Sequence, residues 1–232
     1  MHCMRKKDNS GLRYGRYFRF ARRVLCFFSR KYRAPEHEPD GATVYVCRHL
    51  NMHGPYTTLK YMKKPFRPLV LNVFFTYKTC KKQFRDYTFS ERGRMPRFVA
   101  GIASSVAAFV VAPLVRSAKA LPVYRGKTTD AVRTFRAAVS ALERGERIMV
   151  YPDLEYTAEA EKQSDIYDGF LSFDRYYFRK TGRRVPFVCI LIDDKTRTVS
   201  TSEPIFFTGK LPFEEEAPLV KAEIMKTLYA RQ

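Results

Sequence analysis

The stretch TVYVCRHLNMHGP, residues 43–55, begins with an apolar run and ends in polar side chains and a Gly-Pro pair. Its first five residues, TVYVC, are β-branched, aromatic or apolar, which is typical of a strand buried on both faces. In an α/β fold, the turn after such a strand exposes side chains at the carboxyl edge of the sheet. The stretch therefore predicts a buried parallel strand followed directly by an exposed His49.

Further apolar runs of the same kind occur along the chain, separated by segments with helical spacing of apolar residues. The predicted helices lie at 131–142, ended by Gly145, at 166–180 and at 214–232. Strands that alternate with helices predict an α/β fold, with a largely parallel sheet flanked by helices. The other predicted strands are PLVLNVFF (68–75), LPVY (121–124), RIMVY (147–151) and VPFVCILID (185–193).

Positive charge is concentrated near the N-terminus. The 232-residue chain has a net charge of +20, from 43 Lys and Arg against 23 Asp and Glu. Residues 5–33 contain eleven of the basic residues and one acid, and their arginines interrupt every apolar run, unlike a secretory signal. A charge this large favours an anionic partner, such as nucleic acid, an acidic carrier or the phosphate face of a membrane.

The same segment has the pattern of a basic amphipathic helix, with apolar side chains on one face and arginines on another. We expect residues 1–35 to be a membrane-association segment and 36–232 to be an α/β domain. A helix packed on its own domain with a solvated basic face has the same periodicity. The apolar face is predicted to comprise Tyr14, Tyr17, Phe18, Ala21, Leu25 and Phe28.

A second apolar segment, FVAGIASSVAAFVVAPLV (98–115), has 18 residues without a charge, the lower limit for a membrane-spanning helix. Because it lies between predicted strands of one sheet, a crossing would place parts of that sheet on opposite sides of the bilayer. The sequence therefore favours a buried or partly membrane-embedded helix over a span.

Cysteine and histidine spacing indicates neither a disulfide framework nor a metal site. The five cysteines are odd in number, widely spaced and without a CxxC pair, which suits a reducing cytosol. His49 and His53 are four residues apart, as in zinc proteases, but Leu50 stands where those enzymes have Glu. We therefore predict no metal and no cofactor.

Four motifs in order resemble those of the glycerophospholipid (lysophosphatidic acid type) acyltransferases, from about residue 43 to 193. RHLNMHGP resembles the first motif, a His and an Asp separated by four residues, except that Gly54 stands in the place of the Asp. The third motif, usually FPEGTRS, is matched by MVYPDLEYT (149–157). The others are matched by LPVYRG (121–126) and VPFVCI (185–190), with DGFL (168–171) between the third and fourth.

This resemblance implies transfer of a fatty acyl group to a lysophospholipid or glycerol-phosphate hydroxyl at the cytoplasmic face of a membrane. The protein would be peripheral or partly embedded, bind anionic lipids, and take its acyl group from acyl-CoA or acyl carrier protein. The resemblance makes His49 the base, with Asp153, Glu155, His53 or a backbone carbonyl as candidates to orient it. The implied substrate-binding residues are Arg125, which would hold the acceptor's phosphate, Gly126, His53, Asn51 and Pro152.

Two other function classes stay open. Departures at Gly54 and at 154–156 are typical of relaxed catalysis, which suits a weak or inactive lipid-binding member of the same fold. A nucleic-acid-binding protein would explain the charge and the 15 Tyr and 19 Phe. No RNP-like or helix-turn-helix signature occurs, so a nucleic-acid partner is not expected.

Overall fold

The computed structural model describes residues 11–29, 31–124, 128–153 and 165–230. Between the regular elements lie 3₁₀ turns at Asn72–Phe75 and Gly169–Leu171 and a π-helix at Phe84–Arg92. The strands are β1 (Thr43–Cys47), β2 (Arg67–Leu71), β3 (Leu121–Val123), β4 (Arg147–Val150), β5 (Phe187–Asp193) and β6 (Thr198–Thr201). The helices are α1 (Arg16–Phe28), α2 (His53–Tyr61), α3 (Tyr77–Gln83), α4 (Arg97–Ser117), α5 (Thr128–Glu143), α6 (Ser172–Thr181) and α7 (Phe213–Tyr229).

The chain divides into two compact units, of which the first comprises residues 1–12, 25–66 and 135–232. In this unit β1 lies between β4 and β5 and is parallel to both, while β6 runs antiparallel to β5. All five residues of β1 are buried, as expected for a central strand with both faces covered. The carboxyl ends of β4, β1 and β5 therefore lie at one edge of the sheet.

The core of the first unit combines apolar side chains with one buried cation. Arg147 is fully buried, and its guanidinium donates to the carbonyl oxygens of Pro39, at 3.0 Å, and Pro65, at 3.4 Å. These bonds satisfy a charge that burial would otherwise penalise, and the bond to Pro39 fixes the linker that precedes β1. The apolar cluster contains Tyr45, Cys47, Met62, Phe66, Met149, Val188, Ile190 and Val199.

The second unit comprises residues 13–24 and 67–134 and contains the parallel pair β2 and β3. The first turn of α1 is bound to the end of α4: the N–H of Gly15 donates to the Ser117 carbonyl at 2.7 Å, and that of Phe18 to its hydroxyl at 2.8 Å. Tyr14 and Phe18 were both predicted to lie on the apolar, membrane-facing side of this helix. Both are buried, so they do not belong to an exposed surface. The domain boundary predicted at residue 35 stays a prediction.

The α/β fold with a largely parallel sheet flanked by helices is confirmed, and so is the basic amphipathic helix near the N-terminus. The predicted strand 68–75 is wrong beyond Leu71. Its apolar run continues because Phe74 packs beside Cys80 and α4, so apolar character there serves helix packing. Strand β6 was not predicted from the sequence. The helix predicted at 166–180 begins instead at Ser172.

Candidate active site

The turn between β1 and α2 has an unusual backbone. Leu50, Asn51 and Met52 follow His49, with φ values of 43°, 49° and 76°. Residues other than glycine rarely adopt positive φ, and each such residue costs about 1–3 kcal/mol that the surrounding structure must supply. The turn delivers His49 directly to the carboxyl edge of the sheet and leaves Asn51 exposed at its tip.

Gly54 occupies a position that excludes any side chain. An ideal Cβ there would lie 1.8 Å from the carbonyl oxygen of Arg48, and the N–H of Gly54 donates to the His49 carbonyl at 3.1 Å. The φ of Gly54 is outside the left-handed region, so its backbone conformation does not require glycine. The close approach of the Arg48 main chain does require it. An aspartate cannot occupy this place in the observed turn.

Asp153, three residues after the end of β4, reaches His49 through the backbone. Its Oδ2 accepts a hydrogen bond from the His49 N–H, and the Leu50 amide also interacts with the carboxylate. The other oxygen, Oδ1, is buried without a hydrogen-bond partner among the described residues. Asp153 therefore positions the His49 main chain, whereas the sequence hypothesis had it orienting the imidazole.

Burial raises the pKa of the Asp153 carboxyl, and the His49 N–H and the nearby charge of Arg48 partly oppose that rise. Arg48 is itself nearly buried, with its guanidinium carbon 4.4 Å from the centre of the Tyr229 ring. Sequence reasoning missed this arginine, because its aromatic partner belongs to the last turn of the distant α7. Arg48 therefore places a positive charge near the Asp153 carboxyl.

The imidazole of His49 has its own contacts. Its Nδ1 lies 3.3 Å from the Met52 nitrogen, and its ring meets the edge of Tyr151 at a centroid distance of 5.8 Å. The Tyr151 hydroxyl is in turn 2.7 Å from Thr58 Oγ1 on α2. When Nδ1 accepts from Met52, neutral His49 carries its proton on Nε2.

His53 has a carboxylate partner. Its Nε2 lies 3.0 Å from Oδ1 of Asp194, and the Tyr32 hydroxyl donates to the same oxygen at 2.5 Å. Asp194 follows the end of β5, at the edge where β1 also ends. The ring of His53 therefore pairs with Asp194 through Nε2, and sequence reasoning missed both Asp194 and Tyr32.

The remaining predicted residues divide into two groups. Pro152 is buried two residues after the end of β4, and its carbonyl accepts from the Tyr167 N–H at 2.8 Å, so it shapes the backbone beside Asp153. Arg125, Gly126 and Glu155 lie outside the described residues. Within the described ranges, no three His, Cys, Asp or Glu side chains are grouped as metal ligands would be.

Cys47 lies two residues before His49 but cannot act as a nucleophile in this environment. Burial, and next the nearby Asp153 carboxylate, raise the pKa of its thiol far above the usual range. Burial likewise raises the pKa of Cys189, on the neighbouring strand, to about 12. Since a thiolate is the reactive form, both residues stay inert at neutral pH.

The chain resembles known proteins in its fold and not in its sequence. No protein-family model matches the chain, and no curated protein matches it in sequence. The 1-acyl-sn-glycerophosphate (LPA) acyltransferase PlsC from Thermotoga maritima has a similar structure, with a TM-score of 0.52 and 13% sequence identity. The match covers 93% of this chain and 78% of PlsC. At this identity the likeness shows a common fold.

Asp153→Asn should change how stability depends on pH. Because the folded-state pKa of Asp153 is raised above 3.8, ionisation of this carboxyl favours unfolding. Its contribution to the free energy of unfolding therefore falls as the pH rises from 3.8 through the folded-state pKa. The free energy of unfolding of wild type minus that of Asp153→Asn should therefore decrease from acid toward neutral pH. Urea denaturation at a series of pH values measures this difference, and a difference independent of pH would contradict the prediction.

Proposed function

We propose that this chain is an acyltransferase that moves a fatty acyl group from a thioester to the hydroxyl of a lysophospholipid or similar glycerol phosphate. The observation that carries the proposal is the bond between Asp153 and the backbone of His49, because it joins the residues of the third and first motifs at one sheet edge. The fold shared with PlsC, an LPA acyltransferase, supports the same class.

The reaction needs one base and no covalent enzyme intermediate. His49 removes the proton of the acceptor hydroxyl as its oxygen attacks the thioester carbonyl carbon. A new C–O bond forms, the C–S bond breaks, and the thiolate leaves and takes up a proton. The products are the acylated acceptor and the free thiol of coenzyme A or acyl carrier protein.

Proton removal at Nε2 requires the tautomer of His49 that carries its proton on Nδ1. The contact from the Met52 N–H opposes that tautomer, but at 3.3 Å it is longer than most N–H···O bonds and so is weak. Catalytic hydrogen bonds often tighten or rearrange only when substrate is bound. We propose that binding of the acceptor breaks this contact. The His49 ring then takes the tautomer with its proton on Nδ1 and its lone pair on Nε2.

The donor and the acceptor in this proposal are both anionic. A chain with a net charge of +20 attracts coenzyme A thioesters, an acidic acyl carrier and phosphate-bearing lipids over a distance of about a Debye length. We propose Arg125, in the stretch that resembles the second motif, as the residue that binds the acceptor's phosphate. Nucleic acid is not among the proposed partners.

Arg125→Ala should raise the acceptor's KM while leaving the donor's KM nearly unchanged. A charge-assisted contact to phosphate is worth about 1.5–3 kcal/mol, which corresponds to a rise of roughly 10- to 150-fold. Arg125→Lys should recover only part of the loss, because an ammonium group lacks the planar fork of a guanidinium. Steady-state kinetics with each substrate varied in turn measures both constants, and equal effects on the two would contradict the assignment.

We also propose that the protein works at the cytoplasmic face of a membrane, as a peripheral or partly embedded protein that binds anionic lipids. In support, α1 is basic and leaves Phe20, Phe27 and Phe28 exposed by 66%, 83% and 81%. Aromatic side chains among arginines suit the boundary between headgroups and acyl chains.

The direct test is release of free thiol from purified protein supplied with acyl-CoA or acyl carrier protein and a panel of lysophospholipids and glycerol phosphates. The proposal expects thiol release that depends on a phosphate-bearing acceptor. The replacement of the motif's Asp by Gly54 favours one competing function, a lipid-binding protein without activity. Binding of the same lipids without thiol release would support that alternative.

A further inference from the structure

The helix α4 presents an apolar face that no described part of the chain covers. It is long and apolar enough to cross a membrane, yet only 22% of its apolar window is buried. Phe98 and Phe109 are exposed by 80% and 74%, which is unusual for phenylalanine in a folded protein. The exposed face consists of Phe98, Val99, Ile102, Val106, Phe109 and Val110.

The opposite face of α4 is made of small residues that pack inside the second unit. Ala100, Ser104, Ala108 and Ala112 are buried at four-residue spacing, and Ala108 and Ala112 contact the cluster around Cys80. The helix of an ordinary soluble protein buries its large apolar residues and exposes polar ones. In α4 this arrangement is reversed, so the environment of the outer face must itself be apolar.

The hydroxyl groups of α4 do not require water. Ser104 and Ser105 both donate to the carbonyl oxygen of Gly101, at 2.9 and 2.8 Å. Side-chain donors bonded within their own helix are tolerated in an apolar medium, where an unsatisfied polar group is costly. The stretch 98–115 is also uncharged along a length of about 27 Å.

The topology opposes a complete crossing. The segment that contains α4 connects β2 to β3, and these two strands pair in parallel, with Leu69 opposite Leu121. Both ends of the segment are therefore attached to one pair of hydrogen-bonded strands, which a complete crossing would place on opposite sides of the bilayer. A helix with one exposed face and one packed face suits an orientation in the plane of a bilayer, with only the exposed face among the lipids.

Charge decides between a lipid surface and a second copy of the chain as the occupant. Arg92, Arg94 and Arg97 stand at the start of α4, and Arg116 and Lys119 at its end. A pair of such faces would bring like charges together across a two-fold axis, in a chain that already carries +20. An anionic bilayer offers phosphates to the flanking cations and acyl chains to the apolar side chains.

We infer that α4 is an in-plane membrane helix, which inserts its Phe98–Val110 face into the headgroup and acyl boundary of an anionic membrane. The inference goes beyond the proposed activity and does not depend on it. It differs from tethering by residues 5–33, because the apolar contact belongs to α4, in the segment that connects β2 to β3.

The test uses the full-length chain and vesicles of phosphatidylcholine alone or with about 30% phosphatidylglycerol, which gives the surface a negative potential of tens of millivolts. The triple variant Phe98→Ser, Ile102→Ser and Phe109→Ser removes the exposed face. A matched control, Tyr167→Ser, Phe206→Ser and Leu219→Ser, removes three exposed apolar residues of the first unit. Flotation should show partitioning of the α4 variant to anionic vesicles reduced by about a hundredfold or more, and that of the control nearly unchanged.

A second measurement keeps the face intact. The chain contains no tryptophan, so Phe109→Trp introduces a single indole on the face and Leu219→Trp a control indole elsewhere. Anionic vesicles should shift the emission of the Phe109→Trp protein to shorter wavelength, and brominated lipids should quench it, with neither effect in the Leu219→Trp protein. Unshifted, unquenched emission from bound Phe109→Trp protein would overturn the inference, as would a wild-type dimer that the triple α4 variant converts to monomer without any vesicle binding.

Discussion

His49→Ala should reduce acyl transfer by about 10²–10⁴-fold, the usual contribution of a general base. The fold should survive, because His49 follows the buried strand β1 and Asp153 holds it through the main-chain N–H, which alanine retains. Thiol release at saturating substrate measures the rate, and circular dichroism and thermal unfolding verify the fold.

The matched control for this variant is His53→Ala. His53 stands four residues further on, and its ring is bonded to Asp194. Its removal should leave most of the activity if His49 is the base. The opposite outcome, an active His49→Ala protein together with inactive His53→Ala and Asp194→Asn proteins, would transfer the role to the His53–Asp194 pair and contradict the assignment.

Gly54→Asp should destabilise the protein and abolish activity, although it restores the acid of the family's first motif. Any Cβ at this position would lie 1.8 Å from the Arg48 carbonyl oxygen, so the β1–α2 turn must move. Overpacking usually costs about 1–3 kcal/mol, and a backbone neighbour that cannot rotate away favours the upper part of this range. Gly54→Ala should show nearly the same loss, which urea denaturation measures.

Gly101→Ala is the control for the glycine substitutions. No atom lies within 4 Å of the Cβ position at Gly101, which is inside α4, so alanine there should stabilise the protein by about 0.5–1 kcal/mol. If Gly54→Asp instead folded with wild-type stability and increased the rate, the turn would be adaptable. The acid of the motif would then contribute to catalysis in this chain.

The contrast between β1 and β6 shows how far apolar patterns predict the fold. β1 is buried throughout, so its apolar run coincides with the strand. β6 has the sequence TVST, of which only Val199 is buried, and it pairs with β5 on one side and with the isolated bridge residue Arg33 on the other. A half-buried strand this short leaves too weak a pattern to recognise. At 72–75 the error is the reverse, because an apolar run that packs against helices imitates a strand.

The candidate site shows a similar limit. Motif order predicts that His49 and Asp153 meet, and the structure brings them together. Whether the carboxylate bonds to a ring or to a main-chain N–H depends on the path of the turn, which three positive φ values determine. Asp194 lies 141 residues from His53, and no local pattern connects the two.

The exclusion of a side chain at Gly54 is equally hidden from the sequence. When the sequence is compared with the motif, Gly54 stands where the motif has Asp. The expectation from the motif is that an acid at this position would restore a catalytic His-Asp pair. The structure gives the glycine a reason of its own, since the carbonyl of Arg48 occupies the space that a Cβ would need. Within this turn the His49 N–H donates to Asp153, and its Nδ1 lies near the Met52 nitrogen.

The most direct test of acyl transfer at this site is mass-spectrometric detection of the acylated acceptor in a reaction of purified wild-type protein with an acyl thioester and a lysophospholipid. Acyl transfer predicts one molecule of acylated product for each thiol released, and loss of both with His49→Ala. Thiol release without acylated product would mean hydrolysis. The absence of both products from a folded protein that binds the lipid would contradict the central claim that this site transfers acyl groups.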